Sequence, residues 1–162
     1  MHLVVVPRDN ESLAKGLGET HKRYTRMINL REKWKGYLWE GRFKSFPVDE
    51  KYLYTVIRYV ERNPVRAGLV RKSEDYTWSS ARAHVEKIPN PILKNFHLID
   101  EIDDWCEYLK DESEIELETI HKHVETGRPL GRDEFIDKLE KQFGKILRTK
   151  KPGVKPQKEG GN

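Results

Sequence analysis

Apolar positions recur at two different periods along this chain. Near its start "HLVVVP" is an unbroken, largely β-branched run ended by proline, the pattern of a buried strand. "RDNES" follows as a turn, with Asn10 or Ser12 placed to cap a helix. Leu13, Leu17, Tyr24, Met27 and Ile28 then repeat at helical spacing and predict one helix over residues 12–31, in spite of Gly16 and Gly18. "EKWKGYLWEG" reads as an aromatic-rich turn, and "RFKSFPV" alternates like a second strand with Pro47 near its end. Asp49 caps a helix predicted from Glu50 to about Arg62, whose apolar face carries Tyr52, Val56, Tyr59 and Val60.

That helix runs into "RYVERNPVRAGLV". Pro64 disfavours the helical conformation at Asn63, so Asn63 is expected to close the last turn and Gly68 to let the chain reverse. Tyr59 and Asn63 therefore share one edge of the helix, a turn apart. On periodicity alone, Tyr59 is a core aromatic with its hydroxyl at the rim and Asn63 is a terminal cap.

The second half is more acidic. "IDEIDDWCEYLKDESEIELE", residues 99–118, predicts an amphipathic helix with Ile99, Ile102, Trp105, Cys106 and Leu109 on its apolar face. "TGRPLG" is a turn, and "RDEFIDKLEKQFGKIL" is a helix with Phe135, Ile136, Leu139 and Phe143 at its apolar positions. The pair reads as a helical hairpin or a helix-turn-helix-like unit. Residues 150–162 form a basic, Pro/Gly-rich tail expected to be disordered. "HKH" at 121–123 is expected to be a solvent-exposed pair of histidines.

Composition narrows the classes. The 162 residues allow one domain with an appendage. Apolar and charged residues each make up 36%, a lean core whose sixteen aromatics still argue against wholesale disorder. The single cysteine, Cys106, excludes an intramolecular disulfide and a cysteine-built zinc site. No apolar run reaches membrane-spanning length and no signal-peptide layout opens the chain, so a cytoplasmic protein without membrane contact is expected. The net charge of +4 matters less than where the cations lie. Lys22, Arg23, Arg26, Arg31, Lys33, Lys35, Arg42 and Lys44 are interleaved with Tyr24, Trp34, Tyr37, Trp39 and Phe43. Cations neutralise phosphates and aromatic faces stack unpaired bases, so nucleic acid is one reading and a solvated helix face beside an apolar loop is the other.

In order, "HLVVVP", "RYTRMIN", "GYLWEGRFKSFPVD", "YLYTVIRYVERNPVRAGLV" and "DYTWSSARAH" closely resemble the REP-associated tyrosine transposases, HUH-type single-tyrosine enzymes of bacterial mobile elements. The resemblance spans residues 2 to about 85 and continues weakly through 126–144. It implies an enzyme that cuts and joins single-stranded or hairpin DNA through a 5′-phosphotyrosine, with Mg²⁺ or Mn²⁺ at the scissile phosphate. By this match Tyr59 is the nucleophile and His2 and Asn63 are metal ligands; Lys22, Arg23, Arg26, Arg31, Lys35, Trp39, Arg42 and Lys44 of the basic, aromatic span, with Arg66, are the expected DNA contacts. The family motif is His, a hydrophobic residue, His; here His2 matches the second histidine, Met1 the middle position, and the first has no counterpart.

The implied fold is α+β, a truncated ferredoxin-like core. It keeps the last two strands and their helices over residues 1–88, followed by a helical C-terminal extension over 89–149. The half-fold that would precede His2 is missing, which leaves strand edges open. Marginal stability and a homodimer or aggregate are expected, with Trp34, Trp39 and Trp78 holding a small core. The missing ligand predicts impaired cutting, and the alternative is a remnant that binds hairpin DNA without cutting it.

Overall fold

Helices account for nearly all the regular structure of this chain in a computed structural model that describes residues 1–94 and 101–148. They are α1 (Ser12–Glu32), α2 (Glu50–Arg66), α3 (Ala81–Val85), α4 (Trp105–Lys110), α5 (Glu114–Thr126) and α6 (Asp133–Phe143), with a 3-10 turn at Ser73–Asp75. No helix among the described residues is long and apolar enough to cross a membrane. Ile99 and the basic tail lie outside the described residues.

The expected α+β, ferredoxin-like core is not formed: among the described residues there is no sheet. Residues 1–7 pair with no other segment among the described residues, and Leu3, Val4, Val5 and Val6 are all exposed. A β-branched run becomes a strand only when a neighbour takes up its N–H and C=O groups, and here none does. The "RFKSFPV" segment makes one parallel bridge, Val48 to Leu130, in which Asp49 N–H donates to Leu130 O at 2.8 Å and Leu130 N–H to Pro47 O at 2.9 Å. Its partner is thus the turn between α5 and α6, not another strand.

The Asp49 side chain, also buried, completes that junction by accepting from Arg132 Nε at 2.8 Å. The Arg132 guanidinium holds the Asp49 carboxyl well below its ordinary 3.8, at about 2, against the opposing effect of burial. A depressed folded-state value means that this pair stabilises the fold fully above about pH 4 and loses its contribution as pH falls towards 2. Melting of wild type and Arg132→Met should therefore differ at pH 6 and converge near pH 2; a gap that persists unchanged into acid would contradict the pairing. Gly131 admits this approach, because a Cβ there would lie 2.3 Å from Phe135 Cδ1 and 2.9 Å from Asp49 Cβ.

The long helices follow their sequence patterns, with differences at their ends. α1 matches the predicted span, but the turn before it is held by Asp9, whose carboxylate accepts from the N–H groups of Glu11 and Ser12 at 2.9 and 2.8 Å. Neither Asn10 nor Ser12 caps the helix by its side chain. α2 runs through Pro64 to Arg66, so Asn63 does not close it. The missing proline N–H is tolerated because the next turn is kept by Ala67 N–H to Asn63 O at 2.9 Å and Leu69 N–H to Pro64 O at 2.9 Å. Gly68, at φ 69°, then reverses the chain as expected. The acidic stretch is two helices rather than one. Ser113 interrupts it with a capping box, its Oγ accepting from Glu116 N–H at 3.2 Å while the Glu116 carboxylate accepts from Ser113 N–H at 3.4 Å.

Both buried clusters form around α2. One face sends Val56 and Tyr59 against Ile120 of α5 and Leu130. The other packs Ile57 against Ala81 of α3 and Trp105 and Leu109 of α4. The C-terminal extension thus supplies half of the core. Trp34, Trp39 and Trp78 do not; all three are exposed, Trp78 at 86%. Glu61 of α2, with no exposure at all, ties the second cluster together by accepting from Ser80 Oγ, His84 Nδ1 and Trp105 Nε1 at 2.5, 2.6 and 2.7 Å.

Candidate functional site

Tyr59 lies on the buried face of α2 with 7% of its surface exposed. Two imidazoles meet its ring edge-on: His2 at 5.8 Å between centroids and 78° between planes, and His121 at 5.5 Å and 84°. The Arg66 guanidinium lies 4.3 Å from the ring centroid and also donates from Nη2 to the Tyr59 carbonyl. The chain therefore brings His2 to Tyr59 across 57 positions, with no sheet among the described residues to carry it there. Burial, the Met1 ammonium and the Arg66 guanidinium together lower the His2 pKa, which favours the neutral, metal-binding imidazole. Asn63 stands one turn beyond Tyr59, half-buried on α2.

His121, not among the expected site residues, also reaches Tyr59, and the expectation that "HKH" is a solvent-exposed pair holds only in part. His121 is exposed but leans on Tyr59; His123 is half-buried, with Nδ1 2.9 Å from Arg128 O. The signal was available: Leu117, Ile120 and Val124 mark the core face of α5, and position 121 flanks it at i+4 from 117.

Arg66 ends a ladder. Arg58, Arg62 and Arg66 occupy successive turns of α2, and each meets the segment joining α4 to α5. Arg58 pairs with Glu116 at 2.6 Å and stacks on Tyr108 at 4.6 Å. Arg62 reaches Leu109 O at 2.7 Å and Glu112 at 3.0 Å, and Arg66 reaches Glu112 at 2.5 Å. Arg66 is thus engaged within the protein rather than open to solvent.

The remaining cations cluster elsewhere. Lys22, Arg23, Arg26, Arg31, Lys35, Arg42 and Lys44 are all exposed, on α1 or the loop that follows it. Arg23 and Lys22 lie 2.9 and 3.9 Å from Glu19, and Arg31 lies 2.5 Å from Glu32. Arg26, Lys35, Arg42 and Lys44 form no ion pair among the described residues. The loop folds back on α1: Trp39 stacks on His21 at 4.1 Å and 14°, its Nε1 donates to His21 O at 3.4 Å, and Asn29 Nδ2 donates to Gly36 O at 3.0 Å. Tyr37 projects from it at 98% exposure and Trp34 is also exposed.

A metal shell built by protein is not complete. Among the described residues no three His, Cys, Asp or Glu side chains come together to hold an ion. His2 and Asn63 offer one imidazole nitrogen and one amide oxygen, so a hard divalent cation would take most of its six or so ligands from water or phosphate. Two such donors, if they met one ion, would hold it only weakly. No family model, curated protein or solved structure matches this chain.

Proposed function

We propose that this chain binds single-stranded or hairpin DNA through α1 and the loop after it, as a relative of the REP-associated tyrosine transposases. One observation carries the reading: Arg26, Lys35, Arg42 and Lys44, which form no ion pair among the described residues, share a segment with the exposed rings of Trp34, Tyr37 and Trp39. Unpartnered cations release counterions when they meet phosphates, and exposed rings offer faces to unstacked bases. A base-paired duplex hides those bases.

Binding should therefore rank hairpin and single strand above blunt duplex of the same sequence. Four phosphate contacts imply a slope of log K against log salt of about −3 for a single strand. Tyr37→Ala should weaken single-strand binding by roughly 1–3 kcal/mol while leaving the melting temperature unchanged, since the ring buries almost nothing. Fluorescence anisotropy over several salt concentrations measures all of this, and equal affinity for hairpin and duplex throughout would refute the reading.

A second reading, DNA cutting through Tyr59, is favoured by the contact of His2 with the Tyr59 ring. In that reading His2 and Asn63 would hold Mg²⁺ or Mn²⁺ loosely, and the ion would supply polarisation of the scissile phosphate. Tyr59 would supply the attacking oxygen, and Arg66 a cation beside it. Binding is the better supported of the two, because Tyr59 is nearly covered and the ligand set is short.

A further inference from the structure

The arginine ladder on α2 is out of balance with the acids that hold it. Three guanidiniums face two close carboxylates: Glu116 serves Arg58 at 2.6 Å, while Glu112 alone serves both Arg62 at 3.0 Å and Arg66 at 2.5 Å. Asp111 stands 4.0 Å from Arg58 and is 95% exposed, so it adds little. Arg62 Nε is buried and makes no hydrogen bond despite its closeness to Glu112. Arg62 and Arg66 thus share one carboxylate, and the buried Arg62 N–H lies 3.0 Å from Glu112 without the alignment of a hydrogen bond.

We infer that Arg62 and Arg66, with Arg58 behind them, form a phosphate track for one nucleic-acid strand, and that Glu112 and Glu116 occupy it in the free protein. Residues four apart on a helix rise by about 6 Å, so the ladder presents cations at regular intervals along one line. A guanidinium fork accepts phosphate oxygens as readily as carboxylate oxygens. A phosphodiester strand would bring two oxygens per phosphate, where Glu112 now divides its two between two arginines. The track ends at Tyr59, since Arg66 lies over that ring. The part that must move is short: residues 111–113, which carry Glu112, lie between α4, anchored by Trp105 and Leu109, and the capped first turn of α5, which carries Glu116. The inference rests on the DNA-binding reading and adds a second surface to it, separate from α1.

The test compares the full-length wild-type chain with Glu112→Gln/Glu116→Gln, using a labelled single-stranded thymidine 20-mer and a hairpin with a single-stranded flank. Glutamine keeps the size of both side chains and the acceptor that Glu116 gives to Ser113 N–H. The double variant should bind roughly tenfold tighter at about 0.1 M salt, with a salt slope steeper by about 1.4, the effect of two added single-strand phosphate contacts. Adding Arg62→Gln/Arg66→Gln should remove the gain. Unchanged affinity in a folded double variant overturns the track and leaves the α1 surface standing, whereas no binding by either protein overturns both. Should the double variant fail to fold, hydrogen exchange on wild type decides: faster exchange at residues 110–117 with the 20-mer bound supports displacement, and unchanged or slower exchange refutes it.

Discussion

Glu61→Ala is expected to destabilise the fold by about 3–5 kcal/mol, the range for removing one partner from a buried charged cluster. A chain of this size has roughly 5–15 kcal/mol in total, so the variant would approach unfolding. The carboxylate is fully buried, and its three donors come from separate places: Ser80 just before α3, His84 within it and Trp105 at the start of α4. Alanine would leave the buried Trp105 N–H without an acceptor and open a cavity beneath it. It would also release the His84 ring, which sits 4.9 Å from Trp105. Glu61→Gln should fall between wild type and alanine, because the amide keeps the volume and one acceptor but brings an N–H₂ group among donors. Denaturant titration followed by Trp fluorescence measures the series. A loss below about 1 kcal/mol for alanine would show that water replaces the carboxylate at little cost, against the role given to it here.

The Glu61 cluster also shows where sequence reading ends. Val56, Tyr59 and Val60 announce a helix face at the spacing of α2, and the face is buried. Its covering could not be read, because Trp105 lies 44 positions away and Ile120 farther, and periodicity names no partners. "HLVVV" misled for the same reason: composition describes what a strand needs locally, while a ladder also needs a neighbour. The break between α4 and α5 was legible, since Ser113 and Glu116 spell a capping box, but the acidic run around them masked it. Helix geometry set Tyr59 and Asn63 a turn apart on one edge, whereas the roles of Tyr59, Asn63 and His2 were implied by the resemblance alone. The spacing of Arg58, Arg62 and Arg66 was in plain view too. What could not be seen was that Glu112 and Glu116, some fifty positions on, fold back to hold them.

Tyr59 should give opposite results in two substitutions. Tyr59→Ala removes a buried ring from a cluster with Val56, Ile120 and Leu130, and should cost about 3–5 kcal/mol. Tyr59→Phe keeps the ring and its contacts with His2, His121 and Arg66. No hydrogen bond reaches the hydroxyl from any described residue, so its loss should change stability by less than about 1 kcal/mol. That near-neutrality makes phenylalanine a clean probe of chemistry. With Mn²⁺ and a labelled hairpin, the cutting reading expects a protein–DNA band that survives denaturation, in which the Tyr59 oxygen has displaced a 3′-hydroxyl and holds the 5′-phosphate. Tyr59→Phe should abolish the band while hairpin affinity stays within about twofold. Phe variants of Tyr52, Tyr54 and Tyr76 should retain it. Tyr54 makes a useful control, because burial and the Glu101 carboxylate push its phenol up to about 12, away from the ionised form a nucleophile needs. A band that persists in Tyr59→Phe refutes the nucleophile assignment. The absence of any band from wild type refutes cutting by this chain and leaves only the proposal of DNA binding to be measured.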